Sequence, residues 1–102
     1  MQRRAIEQQI DALIARMSLE QKVGQIIQAD IASATPEDVR RYHLGSILNG
    51  GNSTPTGEYN APASKWLEAA DAYYAASMKP QGDLPRIPVI WGSDAVHGHN
   101  NI

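Results

Sequence analysis

The spacing of hydrophobic residues predicts three helices of clear pattern along the chain. Apolar side chains recur every three or four positions over residues 3–16, again after Ser18, and again over residues 62–78, with polar residues between them. Ser18 is followed three residues later by Gln21, which is the pattern of a capping box. We therefore predict that the second helix begins at Ser18.

A further, shorter helix is predicted after Thr35. This hydroxyl residue is a favoured N-cap, Pro36 suits the first helical position, and two acidic residues follow in the first turn. Gly45 stands where a left-handed residue would end the helix.

Two short apolar segments, at residues 46–49 and 88–92, are predicted to be strands. The element order is then α-α-α-β-α-β, and two strands joined by a long helix form a parallel crossover unit. Two parallel strands leave both sheet faces and both edges in need of cover. The pattern thus predicts an α/β fold that is part of a larger structure.

Composition narrows the class of protein. A chain of 102 residues with 42% hydrophobic and 20% charged residues is long enough for one small globular domain. A formal net charge of −2 gives no field that would attract nucleic acid, and no apolar run reaches the length of a membrane span. The chain has no cysteine, which excludes disulfides and thiolate metal sites.

The residues with the most chemistry follow the second predicted strand. Asp94, His97, His99 and Asn100 lie within seven positions, directly after residues 88–92. In α/β enzymes the ends of parallel strands present side chains to a ligand. A carboxylate there can accept hydrogen bonds from two sugar hydroxyls, ligate a metal, or cap a turn.

The two histidines of this segment admit two interpretations. His97 and His99 could form a metal pair with Asp94, which would make the protein a small metal-dependent hydrolase or metal-binding domain. Such a site needs further ligands, and the remaining histidine, His43, lies at the end of a predicted helix. Alternatively, both imidazoles hydrogen-bond and orient the loop, with Gly98 allowing a close backbone approach.

Two other features were considered as binding elements. Gly50 and Gly51 begin a loop of turn-forming residues, but the spacing of a phosphate-binding motif is missing, so we expect this loop to line the same edge as Asp94. Trp66 and Tyr73 could stack on a sugar, although their helical spacing favours packing in the core.

Three blocks of the sequence together resemble a known family. They are MSLEQKVGQ at residues 17–25, LGSILNGG at 44–51 and IPVIWGSDAVHGHNN at 87–101. In this order and spacing they are similar to the N-terminal part of a family 3 glycoside hydrolase, in the β-glucosidase and exo-β-glucanase branch. The third block is the most diagnostic.

The resemblance implies a fold and an activity. Residues 1–102 would be the incomplete N-terminal portion of a (β/α)₈ TIM-barrel domain in an enzyme that removes terminal β-linked glucose with retention of configuration. Asp94 matches the aspartate that binds hydroxyls of the terminal sugar at the −1 subsite, with His97, His99, Asn100, Gly50 and Gly51 as the supporting loops. The resemblance implies no cofactor and no metal.

The resemblance also implies what this chain lacks. The nucleophilic aspartate and the acid/base glutamate of the family belong to other segments, so we expect the chain alone to be inactive. Its partners would be a β-glucoside or β-glucan substrate and either the remainder of the parent enzyme or further copies of itself. Members of this branch are often periplasmic or secreted. A non-catalytic module that pairs through its exposed sheet edges is a third hypothesis.

Overall fold

Strands and helices alternate along residues 2–99, the part of the chain that the computed structural model describes. In chain order the elements are α1 (Gln2–Arg16), α2 (Leu19–Gln25), β1 (Gln28–Asp30), α3 (Pro36–Tyr42), β2 (Ser46–Gly50), α4 (Ala63–Ser77) and β3 (Ile90–Asp94).

The strands form one parallel sheet in the order β1-β2-β3. Helix α3 connects β1 to β2, and α4 connects β2 to β3, so the chain contains two consecutive crossover units. Ile47 lies at the centre of the sheet and is in register with Ala29 of β1 and Trp91 of β3. The α/β class is thus confirmed, with three strands.

The predicted element order missed strand β1 and was therefore wrong in its count of two strands. The segment Gln28–Asp30 has three residues and only one of them is apolar, so it shows no alternation. The last predicted strand was also displaced, since β3 covers Ile90–Asp94 and not residues 88–92. Its pairing with β2 decides where it begins and ends.

The predicted caps of α2 and α3 are present in different degrees. At α2 the Ser18 hydroxyl accepts a hydrogen bond from the Gln21 amide at 3.1 Å, but the Gln21 side chain donates to the Pro85 carbonyl at 2.7 Å. Half of the predicted capping box is therefore replaced by a long-range contact. At α3, Thr35 and Asp38 form the full reciprocal box.

The left-handed residue that ends α3 is His43, with φ of 57°, so the prediction for Gly45 was wrong. Gly45 is needed for another reason. A Cβ atom on it would lie 2.1 Å from the Gln25 carbonyl oxygen, so α2 can approach the start of β2 only because no side chain is present there.

The core lies between one face of the sheet and helices α3 and α4. Ile47, Val39 and Tyr73 are buried there. The Tyr73 hydroxyl donates to the Ala34 carbonyl, and burial, followed by the nearby negative charges of α3 and β1, raises the pKa of this phenol. The predicted core role of Tyr73 is confirmed, whereas Tyr74 beside it is exposed.

The opposite face of the sheet is open. Because side chains alternate along a strand, Ile90 points away from the face that carries Trp91, and 67% of Ile90 is exposed. Helix α1 has no buried residue, and its apolar positions Ile6, Ile10 and Ile14 are exposed. Within residues 2–99, then, a large apolar surface lacks cover. None of the helices described is long and apolar enough to cross a membrane.

Candidate functional site

Asp94 is the last residue of β3 and lies opposite Gly50, the last residue of β2. Both strands run in the same direction, so both residues are at the carboxyl edge of the sheet. The side chain of Asp94 leaves on the same face as Ile90, two pairs further along the strand, and the residue is exposed. Its carboxylate is therefore accessible from the open side of the sheet.

Gly50 and Gly51 bring the loop after β2 next to this carboxylate. Both have positive φ, 86° and 58°, which turns the chain sharply at the end of the strand. A Cβ atom on Gly50 would lie 2.9 Å from the Ser93 hydroxyl oxygen and 3.4 Å from Nε2 of His99. A Cβ atom on Gly51 would lie 3.9 Å from Oδ2 of Asp94. Side chains at either glycine would crowd the site.

His99 is held against helix α4. Its imidazole meets the indole of Trp66 edge to face, with ring centroids 4.7 Å apart and planes at 89°. Trp66 is 5% exposed, which confirms its predicted burial, and it also fixes one side of the candidate site. The sequence analysis missed this second role, because residues 66 and 99 are distant along the chain.

The turn after β3 separates the two histidines. Gly98, with φ of 100°, closes the turn through a 3.2 Å hydrogen bond from its amide to the Ala95 carbonyl. His97 lies in this turn and is exposed, whereas His99 is half-buried beside Gly50. Asn100, the remaining residue of the predicted loop, lies outside the described residues.

A buried amide supports the same edge from below. Asn49 is almost fully buried, and its Nδ2 donates to the backbone carbonyl of Gly92 in the neighbouring strand. This contact ties the ends of β2 and β3 together one residue before Gly50 and Asp94. The carboxylate is thus carried on a rigid part of the sheet.

The metal-binding interpretation has no support. Among residues 2–99 no group of three histidine, aspartate or glutamate side chains is placed to hold a metal ion. Asp94 at the end of β3 and His97 on the exposed turn do not form part of such a group.

Comparisons with known proteins point to enzymes that act on β-linked glucose. No family model matches the sequence. The chain is 29% identical, over 91% of its length, to a lysosomal beta glucosidase of Dictyostelium discoideum. It is also 48% identical to the crystal structure of an exo-1,3/1,4-beta-glucanase (ExoP) from a Pseudoalteromonas species, with a TM-score of 0.86 over 96% of the chain, and a point mutant of that enzyme gives 0.85.

The chain spans only a small part of these relatives, 13% of the beta glucosidase and 12% and 16% of the two glucanase structures. Over that part, its parallel α/β arrangement matches the glucanase fold. These similarities confirm the resemblance carried by the three sequence blocks, to the N-terminal part of a family 3 glycoside hydrolase of the β-glucosidase and exo-β-glucanase type.

Proposed function

We propose that residues 1–102 form the N-terminal portion of a (β/α)₈ barrel domain in a retaining β-glucosidase or exo-β-glucanase. Two consecutive parallel crossover units, β1-α3-β2 and β2-α4-β3, are the repeating unit of such a barrel. The open sheet face would become the inside of the barrel, and the exposed apolar positions of α1 and α2 would pack against the remainder of the enzyme.

Asp94 is proposed to bind the terminal glucose at the −1 subsite. The observation that carries this role is the place of its carboxylate, exposed at the carboxyl edge of the sheet beside the turn at Gly50 and Gly51. An ionised carboxylate has two oxygens, each able to accept a hydrogen bond from one of two neighbouring sugar hydroxyls. In this proposal Gly50, Gly51, His97, His99 and Asn100 shape the surrounding loops.

The catalytic pair is proposed to come from other segments of the enzyme. Retention requires two carboxyl groups only about 5–5.5 Å apart. The other acid at this edge is Asp30, the last residue of β1. It stands two strands and two residues away from Asp94, roughly 12 Å between Cα atoms, and its Oδ1 already accepts the Ala32 amide at 2.8 Å. Asp30 therefore cannot serve as the partner of Asp94.

The proposed function is tested with a chromogenic β-glucoside. The complete enzyme should hydrolyse it and release glucose first as the β-anomer, while purified residues 1–102 should release none. Proton NMR of the anomeric signal during the first minutes measures both outcomes. Hydrolysis by the 102-residue chain that disappears in Asp94→Ala would contradict the proposal, because the chain would then hold a complete active site.

A further inference from the structure

We infer that a cleft beside Asp94 binds the glucosyl unit next to the terminal one, with Tyr59 as its stacking platform. The cleft lies between the loop after β1, at Ile31 and Ala32, and the loop after β2, at residues 51–59. We call it the loop cleft. The inference rests on the proposed function, since it names a second sugar position for the same substrate.

The size of the loop cleft suits a sugar unit. It encloses about 890 Å³ of unfilled space that is open to solvent. Binding sites for small ligands lie within roughly 300–1,000 Å³. Because both walls are loops that follow parallel strands, the cleft opens on the same edge of the sheet as the Asp94 carboxylate.

Gly51 connects the loop cleft to the candidate −1 subsite. This residue lines the cleft, and it also lies beside Asp94, where a Cβ atom would be 3.8 Å from Cβ and 3.9 Å from Oδ2 of the aspartate. The absence of a side chain leaves the passage between the two sites unobstructed. A chain of linked glucose units can therefore extend from Asp94 into the loop cleft.

The lining of the loop cleft has the chemistry that sugars need. Tyr59 is 69% exposed and presents an aromatic face to which the C–H side of a pyranose can pack. Asn52 is exposed and offers an amide with both donors and an acceptor for sugar hydroxyls. The combination of one aromatic ring with a polar amide is typical of small-ligand sites.

Hydrogen bonds within the loop hold this lining in place. The Ser53 amide donates to the Gly50 carbonyl at 3.0 Å, and the Ser53 hydroxyl donates to the same oxygen at 3.1 Å. Further along, the Gly57 amide donates to the Thr54 carbonyl at 3.3 Å. A loop that is ordered before binding loses less conformational freedom when a sugar enters, which favours its use as a subsite.

The test compares two substrates in the complete enzyme. β-Glucosyl fluoride has a single atom as leaving group and reaches only the −1 subsite, whereas a β-linked glucose disaccharide also fills the loop cleft. Tyr59→Ala should lower kcat/KM for the disaccharide roughly three- to tenfold and leave fluoride release unchanged. Tyr59→Phe, which keeps the ring, should retain most of the disaccharide activity.

Tyr74→Ala is the matched control, since Tyr74 is also exposed but lies on α4 outside the loop cleft; it should behave like the wild type with both substrates. An equal loss with both substrates in Tyr59→Ala, or no loss with either, would overturn the inference while leaving the proposed function intact. A wild-type enzyme that hydrolyses neither substrate would overturn both.

Discussion

Replacing Asp94 by alanine in the complete enzyme is expected to lower kcat/KM for a β-glucoside about 1,000-fold. In our account the carboxylate accepts hydrogen bonds from two sugar hydroxyls, and a hydrogen bond to a charged group contributes about 1.5–3 kcal/mol. Two such bonds correspond to roughly 10²- to 10⁴-fold in rate at low substrate concentration. Initial rates with a chromogenic β-glucoside measure this loss.

Two further variants make this experiment specific. Asp94→Asn keeps the shape of the side chain and one acceptor oxygen, so its activity should fall between those of the wild type and the alanine variant. Asp71→Ala removes an exposed aspartate of α4 and should leave kcat/KM unchanged. If Asp94→Ala retained more than about a tenth of the wild-type activity, a role in sugar binding would not hold.

The largest expected effect on stability follows from replacing Gly45 by alanine. Its amide donates to the Gly24 carbonyl at 2.9 Å, and its own carbonyl accepts the Ile90 amide at 3.0 Å, so it links α2 to the sheet. An added Cβ would lie 2.1 Å from the Gln25 carbonyl oxygen and 2.7 Å from the carbon of that group. Because backbone has to move, we expect the variant to lose about 3 kcal/mol or more of unfolding free energy.

Gly82→Ala is the control for Gly45→Ala. Gly82 has φ of 58° but no atom within 4 Å of an added Cβ, so the change adds backbone strain of about 1 kcal/mol without a clash. The midpoint of thermal unfolding of the complete enzyme should fall clearly further in Gly45→Ala than in Gly82→Ala. Equal midpoints would show that α2 does not need its close approach to β2.

The elements that the sequence predicts well are those whose signal is local. The cap of α3 at Thr35 and Pro36 depends on residues within one helical turn, and the structure has both. Burial of Trp66 and Tyr73 follows from their spacing along α4.

The features that escaped prediction depend on partners far away in the chain. Strand β1 exists because Gln28–Asp30 pairs with β2, although its own composition is mostly polar. Gly45 carries the sequence signal of a helix end, yet its function is to let α2 approach β2, and His43 takes the left-handed position. The contact of Trp66 with His99 likewise joins α4 to the loop after β3.

The candidate site was assembled from the sequence only in part. The position of Asp94 after a buried strand was enough to place it at the sheet edge. The proximity of Gly50 and Gly51 to Asp94 depends on the register between β2 and β3, which no local pattern encodes. The loop cleft also depends on β1, the strand that the pattern missed, because one wall follows that strand.

The central claim, that the carboxylate of Asp94 binds the terminal sugar, is tested most directly by a crystal structure of the complete enzyme with glucose bound. We expect both oxygens of Asp94 to lie within hydrogen-bonding distance, about 2.5–3.0 Å, of two neighbouring sugar hydroxyls. A glucose molecule bound in the active centre without contact to Asp94 would contradict the account.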